Sequence, residues 1–212
     1  MSDIPDDIYT EPADVDPNTL ANLGPLTGMA GTWEGIRGLD VNPKPEGPRK
    51  QAFLEKIDLQ PIDPQANGPQ LFYGLRYHTH VVKPGEVETY HDQVGYWLWE
   101  PATGTVIQSL AIPRAQVALA VGKAKREDRS FEVVATRGQT AYGICSTTFL
   151  EKAFTTIEFR IKVSILPDDT WSYEEDTVLL LKGRGEPFHH TDRNTLKRVG
   201  PAVPNPLARA AR

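Results

Sequence analysis

Ile157-Glu158-Phe159-Arg160-Ile161-Lys162-Val163-Ser164-Ile165 alternates apolar and polar residues without a break. Successive side chains of an extended chain point to opposite faces, so this stretch predicts a strand with one face buried and the other in water. Outward from it, further strands are expected at about 32–40, 51–62, 70–82, 94–100, 104–112, 116–124, 130–137, 140–151 and 171–182. Asn67-Gly68-Pro69, Pro84-Gly85, Thr103-Gly104, Glu127-Asp128-Arg129, Arg137-Gly138 and Pro167-Asp168-Asp169 punctuate them. These are turn residues: Gly accepts positive φ, Pro presets its own φ, and Asp or Asn bonds nearby backbone. The reading is all-β, about ten antiparallel strands closed as an up-and-down barrel of the lipocalin or fatty-acid-binding kind, because closure removes exposed edges. A two-sheet jelly roll would satisfy the same strand spacing.

The 212 residues suit one domain with tails. Residues 1–18 carry Asp3, Asp6, Asp7, Glu11, Asp14 and Asp16 with Pro5, Pro12 and Pro17 and no basic residue. That composition predicts a disordered acidic tail. A helical turn is expected from Asn18 to Met29, with Leu20, Leu23 and Leu26 on one side and an interruption at Gly24-Pro25, covering one barrel opening. The barrel itself is assigned to 19–199, and 200–212, rich in Pro and Ala, is expected to be loose.

A net charge of -5 excludes a protein whose main task is to neutralise nucleic-acid phosphates. The stretch from Pro101 to Pro113 is too short to span a membrane, and Met1 to Asp7 lacks the basic and apolar regions of a signal peptide. With Cys145 as the lone cysteine, the expectation is a cytoplasmic protein with no disulfide. In 94–100, Gly95, Trp97 and Trp99 share one face and Tyr96 and Leu98 the other. Such a strand reads as buried on both sides, with a helix or a partner subunit outside, which leaves room for a homodimer.

Five histidines are the candidate ligands: His78, His80, His91, His189 and His190. His78 and His80 share a strand face with Arg76, and with Glu86, Glu88 and His91 they are similar to a cupin metal site. Glu86 follows His80 by six residues, off the cupin spacing, and Arg76 would oppose a divalent cation. Glu174-Glu175-Asp176 reads as a solvated outer face rather than a catalytic pair. Nothing matches a Ser-His-Asp triad, a P-loop or a dinucleotide fingerprint.

Three segments carry a family likeness. Gly31-Thr32-Trp33-Glu34-Gly35 fits Gly-x-Trp-x-Gly-x-Gly up to the third glycine, where Arg37 stands and Gly38 follows. His91-Asp92-Gln93-Val94-Gly95-Tyr96 fits His-x-Glu-x-Gly-aromatic with Gln93 in place of the acid, and His190 precedes Leu196-Lys197-Arg198 near the chain end. Together they resemble the nitrobindins, small β-barrels that hold haem through one histidine near the C-terminus. The resemblance covers roughly residues 24–199.

It implies a haem-b-binding barrel with His190 as the axial ligand, His189 as its rival and His91 on the distal side. The activity it implies is ferric haem acting on NO or peroxynitrite, with isomerisation of peroxynitrite to nitrate. A non-catalytic carrier of a fatty acid or other hydrophobic molecule in the same barrel is the alternative, and a cupin-like metal enzyme on His78, His80 and His91 the third.

Overall fold

In the computed structural model, which describes residues 4–204, the alternating stretch is a strand running Phe154–Ile165, with Phe159, Ile161 and Val163 buried and Arg160 and Lys162 outside. The register slips between Thr156 and Glu158, so Ile157 is an extra residue in the ladder and leaves the inner face to Thr156. One inserted residue reverses which side every preceding side chain takes.

The elements in order are a helical turn α1 (Thr19–Asn22), a 3-10 turn (Gly24–Met29), β1 (Gly31–Lys44), β2 (Gly47–Pro61), β3 (Gln65–Asn67), β4 (Gln70–Val82), β5 (Thr89–Glu100), β6 (Thr105–Ile112), β7 (Gln116–Lys123), β8 (Ser130–Thr136), β9 (Ile144–Cys145), α2 (Thr148–Ala153), β10 (Phe154–Ile165), β11 (Thr170–Leu181) and β12 (Phe188–Gly200). Ten of these strands form the wall in the order β2-β1-β12-β11-β10-β8-β7-β6-β5-β4, and β4 pairs back onto β2 to close it. β3 and β9 are short additions, on β4 and β7. All the pairings are antiparallel, as the barrel reading requires.

Two expectations are corrected. The expected strands end at 171–182, but Phe188–Gly200 is a further wall strand, the one that joins β11 to β1. Its inward residues His190, Asp192 and Asn194 are polar before Leu196 is reached, so most of the strand has no apolar alternation to show. The strand expected at 140–151 is instead a turn, two residues of β9 and the start of α2, where the Thr147 hydroxyl accepts from the Leu150 N–H as an N-cap. Outside β5, Tyr96 is 43 % exposed and no helix among the described residues covers it.

One end of the barrel is sealed. Leu23, Leu26 and Met29 of the two N-terminal turns are fully buried with Trp33, Trp171 and Leu196. Gly24 lies so close to the Trp99 ring, with φ +56, that a side chain there would strike it. The Trp33 Nε1 donates to the Met29 carbonyl at 2.7 Å, and the Arg198 guanidinium lies 4.1 Å from the Trp33 ring centre. Arg37 sits in a register slip of β1 between Gly35 and Gly38, exposed, while Gly38 packs under Phe53. The departure at the third glycine therefore falls outside the cavity.

Residues 4–18 hold no helix or strand and are tied down at Asp16, whose carbonyl accepts from the Tyr73 hydroxyl at 3.1 Å. The expectations for residues 1–3 and 205–212 lie outside the described residues. No helix among the described residues is long and apolar enough to cross a membrane.

Candidate functional site

At the end opposite the seal the barrel encloses a cavity of about 450 Å³. Its wall is apolar at Phe53, Ile57, Leu110, Phe159, Ile161 and Leu179. Lys44, at the β1–β2 hairpin, and Arg114, in the turn after β6, stand at its mouth, and neither forms an ion pair among the described residues.

The two adjacent histidines of β12 separate because neighbouring strand residues face opposite ways. His190 lines the cavity, whereas His189 points outward and its Nδ1 lies 2.6 Å from Asp176. The His190 Nε2 lies 2.9 Å from Asp40 Oδ1 and 3.6 Å from Asp192 Oδ2. Burial works against a charged His190, but the bond to Asp40 and the charges of Asp192 and Asp40 outweigh it and raise its pKa above the usual histidine value. Burial likewise works to raise the Asp40 pKa, and the hydrogen bonds from His190, Tyr90 and Asn42 overcome it and bring it below the usual value.

His91 also faces the cavity, close enough to His190 and Arg114 to feel their charges. Burial, more than those charges, lowers its pKa, so it is neutral at pH 7. Gln93 accounts for its orientation: Gln93 Nε2 donates to the Tyr77 hydroxyl at 2.7 Å, which leaves its Oε1, 3.3 Å from His91 Nε2, to accept from the ring. A neutral amide at this position orients the imidazole without adding the negative charge an acid would bring.

His78 and His80 do not join them. They project from the outer face of β4, His78 to Asp92 at 2.9 Å and His80 to Thr89 at 3.0 Å, while Tyr77, Thr79 and Val81 face inward. His91 is on the other side of the wall, so no cupin-like set converges. Glu86 pairs with Lys83 at 3.0 Å, and Glu88 is exposed in the same loop.

The acidic run of β11 also needs correcting. Glu174 and Asp176 face out as expected, but Glu175 lines the cavity, where burial and then the charges of Asp192, Glu55 and Asp40 push its pKa well above the carboxylate range. Glu55 is buried on β2, takes hydrogen bonds from Tyr173 at 3.0 Å and Asn194 at 2.9 Å, and is raised by burial to about 7. Asp40, Glu55 and Tyr173 were not singled out from the sequence, although an acid on the inward phase of a strand was a signal that could have found them.

The chain matches the sequence model of the "THAP4-like, heme-binding beta-barrel domain" over residues 22–198. Among solved structures it is similar to Rv2717c from M. tuberculosis, with a TM-score of 0.59 and 22 % identity over 87 % of this chain and 99 % of that one. That likeness extends to the fold. No curated protein sequence matches. With the family signature spanning the closed wall, the sealed end and the histidine-bearing cavity, the chain belongs to the THAP4-like haem-binding β-barrel domain family, the nitrobindins.

Proposed function

We propose that the barrel binds haem b in this cavity with His190 as the axial ligand. The observation that carries the reading is the inward turn of His190 at an apolar cavity in a chain of a haem-binding family. The residues present fit the group in three respects. The cavity is of the size that small ligands and cofactors occupy. Its aromatic and aliphatic wall suits a porphyrin, and Lys44 and Arg114 at the mouth suit two propionates. His190 must be neutral to serve as a ligand: through Nε2 it would have to leave Asp40, whereas through Nδ1 it would keep Asp40 as the acceptor that orients the ring.

Haem held through one imidazole would offer an iron with an open position, the requirement for binding NO or converting peroxynitrite to nitrate. His91, neutral and held by Gln93, lines the same cavity and would be the side chain to meet a polar diatomic or oxidant. Phe53, Leu110, Phe159 and Leu179 give that space an apolar wall. The free Cys145 suits a cytoplasmic setting, and the exposed apolar face of Val94, Tyr96, Val117 and Leu119 supports pairing of two barrels, which analytical ultracentrifugation would read. Hemin titration of the protein should give a Soret band; its absence would refute the proposal.

A second reading is a carrier of a fatty acid or another hydrophobic molecule, favoured by the hold of Asp40 on His190 and by Lys44 and Arg114 at the mouth, which form no ion pair among the described residues. Native mass spectrometry separates the two: a retained lipid with no affinity for hemin would replace haem by a carrier role.

A further inference from the structure

Asp192 is the ladder partner of Asp40 on one side and of Glu175 on the other. Three carboxylates thus stand side by side across β1, β12 and β11 on the inner wall, all lining the cavity. Like charges directly opposite one another in a sheet are destabilising, and buried charge of one sign is costly without a counter-charge, a cost that Glu175 escapes by holding its proton and that falls on Asp40 and Asp192. No Lys or Arg among the described residues pairs with any of the three; the one basic group in contact is His190.

The donor atoms already converge. Ligand atoms of Asp40, His190 and Asp192, one from each, lie within 4.8 Å of one another, and His190 Nε2 is 2.9 Å from Asp40 Oδ1 and 3.6 Å from Asp192 Oδ2. Ligand atoms bound at about 2.1 Å to one ion sit roughly 3.0 Å apart in octahedral and 3.4 Å in tetrahedral geometry. Asp40 is oriented for the task, because its second oxygen accepts from Asn42 Nδ2 at 2.7 Å and from the Tyr90 hydroxyl, leaving Oδ1 to face His190. Asn42, itself buried and lining the same cavity, has an Oδ1 that accepts no hydrogen bond from any described residue. A water on a bound ion would be a donor for it.

We propose that the haem-free barrel binds one divalent transition-metal ion through Asp40, His190 and Asp192, and that this ion and haem compete for His190. Two hard oxygens and one imidazole suit Mn²⁺, Fe²⁺, Co²⁺ and Zn²⁺, and the missing soft ligands disfavour Cu⁺. The ion takes the place of the His190 Nε2 proton between Asp40 and Asp192 and brings them a larger positive charge, and three protein ligands leave positions for water. The site itself does not rest on the haem reading; only the competition does.

The test is a titration of EDTA-treated, haem-free protein with Co²⁺, followed by its visible d–d bands. One Co²⁺ per chain is expected, with affinity weakened about 100-fold or more in Asp192→Asn, whose fold is checked by circular dichroism. Zn²⁺ added to the wild-type protein should displace Co²⁺ and slow or reduce hemin uptake, a readout that needs no variant. Absence of Co²⁺ bands, equal Co²⁺ affinity in a folded Asp192→Asn, or hemin uptake indifferent to bound Zn²⁺ would each overturn the proposal. Wild-type protein that takes Co²⁺ but no hemin would instead refute the haem reading alone, and hemin without Co²⁺ the metal site alone.

Discussion

His189 and His190, consecutive in the chain, lie on opposite sides of the barrel wall: one reaches Asp176 outside at 2.6 Å, the other Asp40 inside at 2.9 Å. The strand pleat separates them, so substitutions at the two positions report on different surfaces. His190→Ala is expected to abolish the Soret band of the hemin-loaded protein and His189→Ala to leave it in place. Absorption spectra of the two variants check this, and the opposite pattern would reassign the ligand.

Hemin affinity should rise with pH. The neighbours of His190 raise its pKa above the usual histidine value, so below that pKa a proton must leave before the imidazole acts as a ligand. Apparent affinity is therefore expected to grow up to about tenfold per pH unit across that range and level off above it. Titrations between pH 6 and 9 measure the slope, and a flat profile contradicts the ligand assignment.

Glu55 sets a stability trend of the opposite kind. Its folded pKa near 7 exceeds the ordinary 4.5, so between those values the folded chain holds a proton that the unfolded chain has lost. Stability supplied by the protonated form is thus complete below pH 4.5 and declines as pH rises through 7. Glu55→Gln, which keeps a partner for both Tyr173 and Asn194, should gain on the wild type by up to about 3 kcal/mol at pH 8 and by little at pH 4. Urea unfolding at the two pH values gives the difference.

At the mouth, reversing Arg114 or Lys44 to Glu should weaken hemin binding about fivefold each, the scale of an exposed ion pair lost. The effect should shrink in 0.5 M salt because exposed charges are screened. Isothermal titration at low and high salt tests this.

Trp33 holds the sealed end, fully buried between Arg198 and Trp171. Trp33→Ala is expected to cost about 3–5 kcal/mol, because it empties a large volume and frees the Met29 carbonyl. Chemical denaturation would show it, and a loss below 1 kcal/mol would mean the seal contributes little.

The wall was legible where one face is apolar. Phe159, Ile161 and Val163 announce β10, and the Gly, Pro and Asp turns mark most strand ends, because the twofold repeat of an extended chain meets water on one side only. At β12 the rule failed because the interior itself is polar there. His190, Asp192 and Asn194 alternate with equally polar outward residues, so nothing in the hydropathy distinguishes inside from outside.

The candidate site was half legible. His190 and His91 follow from local segments, yet their companions lie far off along the chain: Asp40 is 150 residues from His190, and Glu55 is 118 from Tyr173. By itself the sequence determined an all-β chain with turns at set places and a histidine late in it. Closure of the wall, through the pairing of β2 with β4 and of β12 with β1, decided which acids surround that histidine, because only strand register sets which distant residues face one another across the ladder.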